Sequence, residues 1–228
     1  MMRYNWVLFD ADETLFSFNS YLGLTAMLKR YGIDFSREDY DAFQAVNKLL
    51  WVAYQNNEIT AQDIQMRRFA KLAEQTGVDQ IKLNQELMAE MAKVSKPLDG
   101  VMEMLEALHP KVKMGIITNG FTELQQQRLQ NTQTEKFFDI VVVSEQIGVA
   151  KPDRKVFDYA FSQMDDLDKT KILMVGDTLA SDILGGYNSG IDTCWFNHAN
   201  LPNDIKIQPT YEIKDMRELV GIVSGVTI

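Results

Sequence analysis

Four short apolar runs, each followed closely by a polar residue, constrain this chain more than anything else in it. They are Trp6-Val7-Leu8-Phe9 before Asp10, Met114-Gly115-Ile116-Ile117 before Thr118, Ile140-Val141-Val142-Val143 before Ser144, and Ile172-Leu173-Met174-Val175 just ahead of Asp177. Each is too short for a helix and several are β-branched, the pattern of strands buried on both faces of a parallel sheet. Helical patterns over 121–131 and 155–164 separate the later runs. Strand alternating with helix predicts a doubly wound α/β fold with a parallel sheet, which a fifth run, Thr193 to Phe196, extends. Ligands of such sheets bind outside the carboxyl ends of the strands. The polar residues therefore meet at one rim, where the active site is expected.

The spacing between these residues is uneven. Thr118 to Ser144 is 26 positions and Ser144 to Asp177 is 33, each close to one strand–helix–strand unit, but Asp10 to Thr118 is 108. That gap is too long for one crossover and implies an insertion. Its sequence reads as wholly helical, with helices over 20–31, 36–56, 60–76 and 80–94. Ser36 and Thr60 are N-cap candidates with acids three residues on, and Gly32 and Gly77 are stop signals. Pro97 marks the return. The reading is a catalytic core from 1–16 and 97–228 with a helical domain over 17–96, about the size of a four-helix bundle.

Charge narrows the function. The 32 acidic side chains against 23 Lys and Arg give a net charge of −9, a surface that repels nucleic-acid polymers and anionic membranes. No apolar run approaches the ~18 residues of a membrane span, and the first residues lack a secretory leader pattern. The single cysteine, Cys194, cannot form an internal disulfide. A cytoplasmic protein is expected, a monomer or weak homo-oligomer.

The chemistry follows from the rim. Asp10 and Asp12 lie in Phe9-Asp10-Ala11-Asp12-Glu13-Thr14, and Asp177 and Asp182 in Gly176-Asp177-Thr178-Leu179-Ala180-Ser181-Asp182. Converging carboxylates repel one another unless a cation is present. Oxygen donors, with two histidines in the whole chain, favour Mg²⁺ over zinc. A cation beside a phosphate orients it for in-line attack. One carboxylate is then a candidate nucleophile and a second a candidate acid and base, while Lys151 and the Thr118 hydroxyl can hold phosphoryl oxygens. Singly, each residue has a plainer reading. Asp10 can be a turn cap, Lys151-Pro152 a helix start, Thr118-Asn119-Gly120 a turn and Asp182 a first-turn helix acid. Cys194 reads as a buried hydrophobe.

Taken in order, Asp10-Ala11-Asp12-Glu13-Thr14, Thr118-Asn119-Gly120, Lys151-Pro152 and Gly176 to Asp182 resemble the four motifs of the haloacid dehalogenase-like superfamily, and the insertion resembles its C1 cap. The resemblance implies a Mg²⁺-dependent phosphomonoesterase working through an aspartyl phosphate, with Mn²⁺ or Co²⁺ as substitute ions. It implies Asp10 as nucleophile and metal ligand, and Asp12 as acid and base with its backbone carbonyl on the metal. It implies Thr118 and the Asn119 amide on phosphate, Lys151 steadying the phosphoryl group, Asp177 on the metal, and Asp182 in support. Gln44-Ala45-Val46-Asn47-Lys48, Ile116 to Phe121 and Gly148-Val149-Ala150-Lys151-Pro152 are similar to bacterial pyrimidine 5′-nucleotidases, which implies a nucleoside monophosphate substrate. Trp51 and Tyr54 in the insertion can stack on a base or form bundle core. A phosphatase for phosphoglycolate or a sugar phosphate, or a phosphomutase, is the alternative on the same fold.

Overall fold

The structure is a computed structural model that describes residues 2–225. The described residues fold as two compact units: residues 2–17, 96–119 and 134–225 form one, and residues 18–95 with 120–133 form the other.

The first unit is built on a parallel sheet of six strands among the described residues, in the order β3-β2-β1-β4-β5-β6. The strands are β1 (Trp6–Phe9), β2 (Lys113–Thr118), β3 (Ile140–Val143), β4 (Ile172–Gly176), β5 (Asp192–Phe196) and β6 (Tyr211–Ile213). The chain starts at the centre, winds out through β2 and β3, then returns to lay β4 on the other side of β1. The strand order thus reverses between β1 and β4, where a doubly wound sheet opens its crevice. Phe9 lies level with Ile116 of β2 and Val175 of β4, so residues just past Phe9 and Val175 emerge beside each other. All four residues of β1 and all five of β4 are buried, as expected of strands covered on both faces. Trp6, Leu8, Val142, Phe157, Phe161 and Met174 share one core cluster. Cys194 is packed within β5, and burial pushes its thiol pKa up; it is a core side chain.

Helices of this unit are α6 (Val101–Leu108), α8 (Ser144–Ile147), α9 (Arg154–Ser162), α10 (Leu184–Ser189) and α11 (Glu218–Ser224). The two chain segments that bracket the insertion run side by side within it. Ser17 N donates to Lys96 O at 2.9 Å, Lys96 N to Ser17 Oγ at 3.1 Å and Leu98 N to Leu15 O at 2.9 Å.

The second unit is helical throughout its described elements, with α1 (Ser20–Lys29), α2 (Arg37–Gln55), α3 (Ala61–Arg67), α4 (Ala70–Thr76), α5 (Gln80–Val94) and α7 (Thr122–Asn131). The sequence pattern assigns α7 to the core; in the structure it packs on α5, and Asn131 Nδ2 donates to Ala92 O at 3.3 Å. Ser36 with Asp39, and Thr60 with Asp63, form reciprocal capping boxes at the starts of α2 and α3, satisfying first-turn amides. Gly77 takes φ 69° at the end of α4, a left-handed stop that glycine adopts without strain. The single helix expected over 60–76 is two. It breaks at Arg68 and Phe69, where Phe69 has φ −103° and ψ 3°, and both side chains are buried. No helix among the described residues is long and apolar enough to cross a membrane.

The capping box at Ser36 is local and testable. Ser36→Ala lowers stability by about 1 kcal/mol, read as a lower urea midpoint, with the helical circular-dichroism signal at 25 °C unchanged.

Candidate active site

The site begins where β1 ends. Asp10 N donates to Val175 O at 2.9 Å, so its backbone is still held by β4. The chain then turns sharply. Leu15 N and Phe16 N both donate to Ala11 O, at 3.1 and 3.0 Å, and Glu13 N to Phe16 O at 2.8 Å. Glu13 takes φ 57°, a left-handed conformation uncommon for a residue with a side chain. This turn is what presents Asp10, Asp12 and Thr14 from five consecutive residues.

Lys151 is the hub. Its side chain is 1% exposed, yet its ammonium reaches Asp10 Oδ1 at 2.6 Å, Asp182 Oδ1 at 2.8 Å and the carbonyl of Ile117 at 2.6 Å. Asn119 fixes the backbone beneath it, with Asn119 Nδ2 donating to Lys151 O at 3.0 Å and Lys151 N to Asn119 Oδ1 at 2.7 Å. Thr118, at the end of β2, is buried. Lys151 is therefore neither a surface lysine nor mobile; residues from β1, β2 and the turn after β4 hold it.

Asp182 reaches the hub through an unusual turn. Residues Leu179–Ile183 form a wide helical turn of π type, a form that recurs at functional sites. Thr178 N donates to Asp182 Oδ2 at 3.0 Å and Ser181 Oγ to Oδ1 at 3.1 Å. Gly176 makes room: a Cβ there would lie 2.4 Å from the Asp182 Cβ and 2.2 Å from its Oδ2.

Asp177 is gripped from both sides. Its N–H donates to Thr14 Oγ1 at 3.0 Å, and the Thr14 hydroxyl donates to Asp177 Oδ1 at 3.2 Å. Trp195 Nε1 on β5 donates to the Asp177 carbonyl at 2.8 Å, and Trp195 packs with Leu179, Ile183, Ile205 and Ile207. Sequence reasoning assigns no role to Thr14 or Trp195. Thr14 sits inside the first motif, and Trp195 inside a run that reads only as a strand, so no local pattern marks either as a support.

Oxygens of Asp10, Asp177 and Asp182 lie within 4.8 Å of one another. One ammonium cannot neutralise three carboxylates. Burial, with the charges of Asp182, Asp12 and Asp177, pushes Asp10 up to about 8 despite Lys151 beside it. Burial and the Asp182 charge push Asp177 up to about 7. Burial alone would depress the Lys151 ammonium, but Asp10 and Asp182 outweigh it and its pKa is raised. Lys151 is thus a fixed cation, and the acids still lack positive charge. Hard carboxylate oxygens in this grouping fit a divalent cation. The Asp12 side chain lies outside the trio but near enough for its charge to act on Asp10.

Known proteins share this arrangement of sequence. A family model described as haloacid dehalogenase-like hydrolase matches residues 4–190. Pyrimidine 5′-nucleotidase YjjG of Escherichia coli is 47% identical over 218 residues, 96% of this chain and 97% of that one. Pyrimidine 5′-nucleotidase PynA of Streptococcus pneumoniae is 34% identical over 224 residues, 96% and 94% of the two chains. Among solved structures, the putative HAD-hydrolase YfnB of Bacillus subtilis, bound to magnesium, superposes with a TM-score of 0.83 at 29% identity, covering 97% of this chain and 99% of that one.

Two outcomes test the site. Thr14→Val keeps the shape but removes both bonds to Asp177; calorimetric titration should show Mg²⁺ binding weakened by about 10–100-fold, and an unchanged constant would reduce Thr14 to a packing residue. The second is a pH effect. Asp10 and Asp177 have folded pKa values of about 8 and 7, above the ordinary 3.8, so the folded state holds protons that the unfolded chain has lost. Their destabilisation is absent below about pH 4 and is complete above about pH 8. A cation relieves it, so the rise in melting temperature on adding Mg²⁺ should be larger at pH 8.5 than at pH 6.

Proposed function

This chain belongs to the haloacid dehalogenase-like hydrolase family, and on that premise we propose that it is a Mg²⁺-dependent 5′-nucleotidase acting on pyrimidine nucleoside monophosphates. The observation that carries the substrate reading is 47% identity, over nearly the full length of both chains, to a pyrimidine 5′-nucleotidase. The acid cluster around Lys151 supports the reaction class. The magnesium bound by the Bacillus subtilis relative supports the choice of ion.

In this reading Asp10, the Asp12 carbonyl and Asp177 would hold the ion, with Asp182 in support. Bound there, Mg²⁺ would supply positive charge against the phosphate and the carboxylates. Asp10 supplies the nucleophile. One of its carboxylate oxygens forms a bond to phosphorus while the bond from phosphorus to the nucleoside oxygen breaks. Asp12 gives its proton to the departing oxygen, releasing the nucleoside. Water then attacks the phosphorus of the aspartyl phosphate, Asp12 takes the water's proton, and the Asp10 carboxylate departs. Phosphate is freed and both acids return to their starting states. Lys151 keeps Asp10 oriented and, with the Thr118 hydroxyl and the Asn119 amide, offsets charge on the phosphoryl oxygens. The buried lone cysteine, Cys194, supports a cytoplasmic setting.

A phosphate-release panel checks this. Deoxyuridine monophosphate should exceed ribose 5-phosphate and phosphoglycolate in kcat/KM, and a panel led by either of the latter would reassign the substrate. Asp10→Asn should leave no Mg²⁺-dependent release. Asp12→Asn should lower kcat by roughly 10²–10⁴-fold.

A further inference from the structure

The helical unit contains a buried cation, Arg68, that is 8% exposed and pairs with no carboxylate among the described residues. One Nη donates to the Oδ1 of Asn84, itself buried, while Nε is buried without an acceptor. Its guanidinium lies 4.9 Å from the ring centre of Phe121 and 5.2 Å from that of Phe69. Burial, with no acid to offset it, pushes its pKa down to about 9, so the side chain is still a cation at neutral pH.

Such a group is expensive to keep. An uncompensated buried charge is strongly destabilising, and a well-packed apolar side chain would serve a purely structural role better. The surroundings hold the charge in place without neutralising it: aromatic faces attract it, and the Asn84 amide fixes one arm of the fork. The break between α3 and α4 falls at Arg68 and Phe69 and turns both inward. Arg68 also borders a cavity of about 280 Å³ in this unit, so the side chain is not sealed on every side.

Connectivity relates Arg68 to the substrate. Phe121 follows Thr118 by three residues, so their Cα atoms can lie no more than roughly 11 Å apart. Phe121 lies close to both Arg68 and, at 5.3 Å between ring centres, Trp51. Trp51 is half-buried, while Phe121 and Tyr54 are buried. The cation and a partly open indole are therefore tied by a short length of chain to the residue expected to bind phosphate.

Resting on the nucleotidase reading, we infer that Arg68 is a specificity-determining residue that donates hydrogen bonds to a carbonyl oxygen of the pyrimidine. Uracil and thymine present two such acceptors and cytosine one. The phosphate of the same molecule also offers oxygen acceptors, and the two sources are separable by experiment.

Wild type, Arg68→Lys and Arg68→Met are compared on deoxyuridine monophosphate and on ribose 5-phosphate, which has the phosphate but no base. Deoxyuridine, which has the base but no phosphate, is used as competitive inhibitor of ribose 5-phosphate turnover. Arg68→Lys keeps the charge but loses the planar fork. It should melt near the wild-type temperature and raise KM for deoxyuridine monophosphate and Ki for deoxyuridine by about tenfold or more, with kcat/KM for ribose 5-phosphate within about twofold. An equal loss on both substrates would make Arg68 a phosphate-binding or structural residue and overturn the inference. An unchanged preference in both variants would also overturn it. If Arg68→Met fails to fold, Arg68→Lys and the deoxyuridine arm decide. A wild type that does not prefer deoxyuridine monophosphate to ribose 5-phosphate would instead remove the nucleotidase reading, and this inference with it.

Discussion

A single buried ammonium holds this catalytic unit together. Lys151 Nζ touches Asp10, Asp182 and the Ile117 carbonyl, which come from the ends of β1 and β2 and the turn after β4. Removing the ammonium would leave Asp10 and Asp182 without their buried cation in a water-poor setting, which costs several kcal/mol. Most of the surrounding detail serves the same centre. Asn119 fastens the Lys151 backbone, Gly176 leaves space for Asp182, and the wide turn over Leu179–Ile183 carries Asp182 back to it.

The same ammonium is insufficient. One positive charge among three close carboxylates leaves the cluster electron-rich, and Asp10 and Asp177 respond by holding protons well above their ordinary range. A divalent cation placed among these oxygens would relieve the repulsion and favour their ionised forms. Thr14 and Trp195 bear on this directly. They set the backbone and carboxylate of Asp177 by three hydrogen bonds, so the protein alone orients this member of the acid cluster.

The topology explains why such a cluster can form. Reversal of strand order between β1 and β4 leaves the two strand ends side by side, where a doubly wound sheet opens its crevice. The insertion leaves the sheet directly after β1 and returns before β2, with its two linkers hydrogen-bonded to each other at Ser17 and Lys96. The sheet unit carries Asp10, Asp12, Lys151 and Asp177, while Arg68, Asn84, Trp51 and Phe121 lie in the helical unit. Phe121 belongs to the second unit but follows the phosphate motif by covalent necessity.

Much of this was legible in the chain. Apolar runs ending in Asp10, Thr118 and Asp177 announce parallel strands because burial on both faces demands unbroken hydrophobic segments. Capping at Ser36 and Thr60 is readable because a cap is satisfied by the residue three positions on. Other features depend on partners far away in sequence. Asp182 reads equally as a first-turn helix acid until Lys151, 31 positions earlier, is seen against it. Trp195 reads as a strand residue until its indole N–H meets the Asp177 carbonyl. The helical pattern over 60–76 is continuous in periodicity, yet the helix breaks where Arg68 and Phe69 turn inward. Local sequence determined the elements and the identity of the acids, because hydrophobic period and capping act over a few residues. Tertiary structure alone decided which charges share one cation and which are left without a counterion, because electrostatic balance is a property of positions in space.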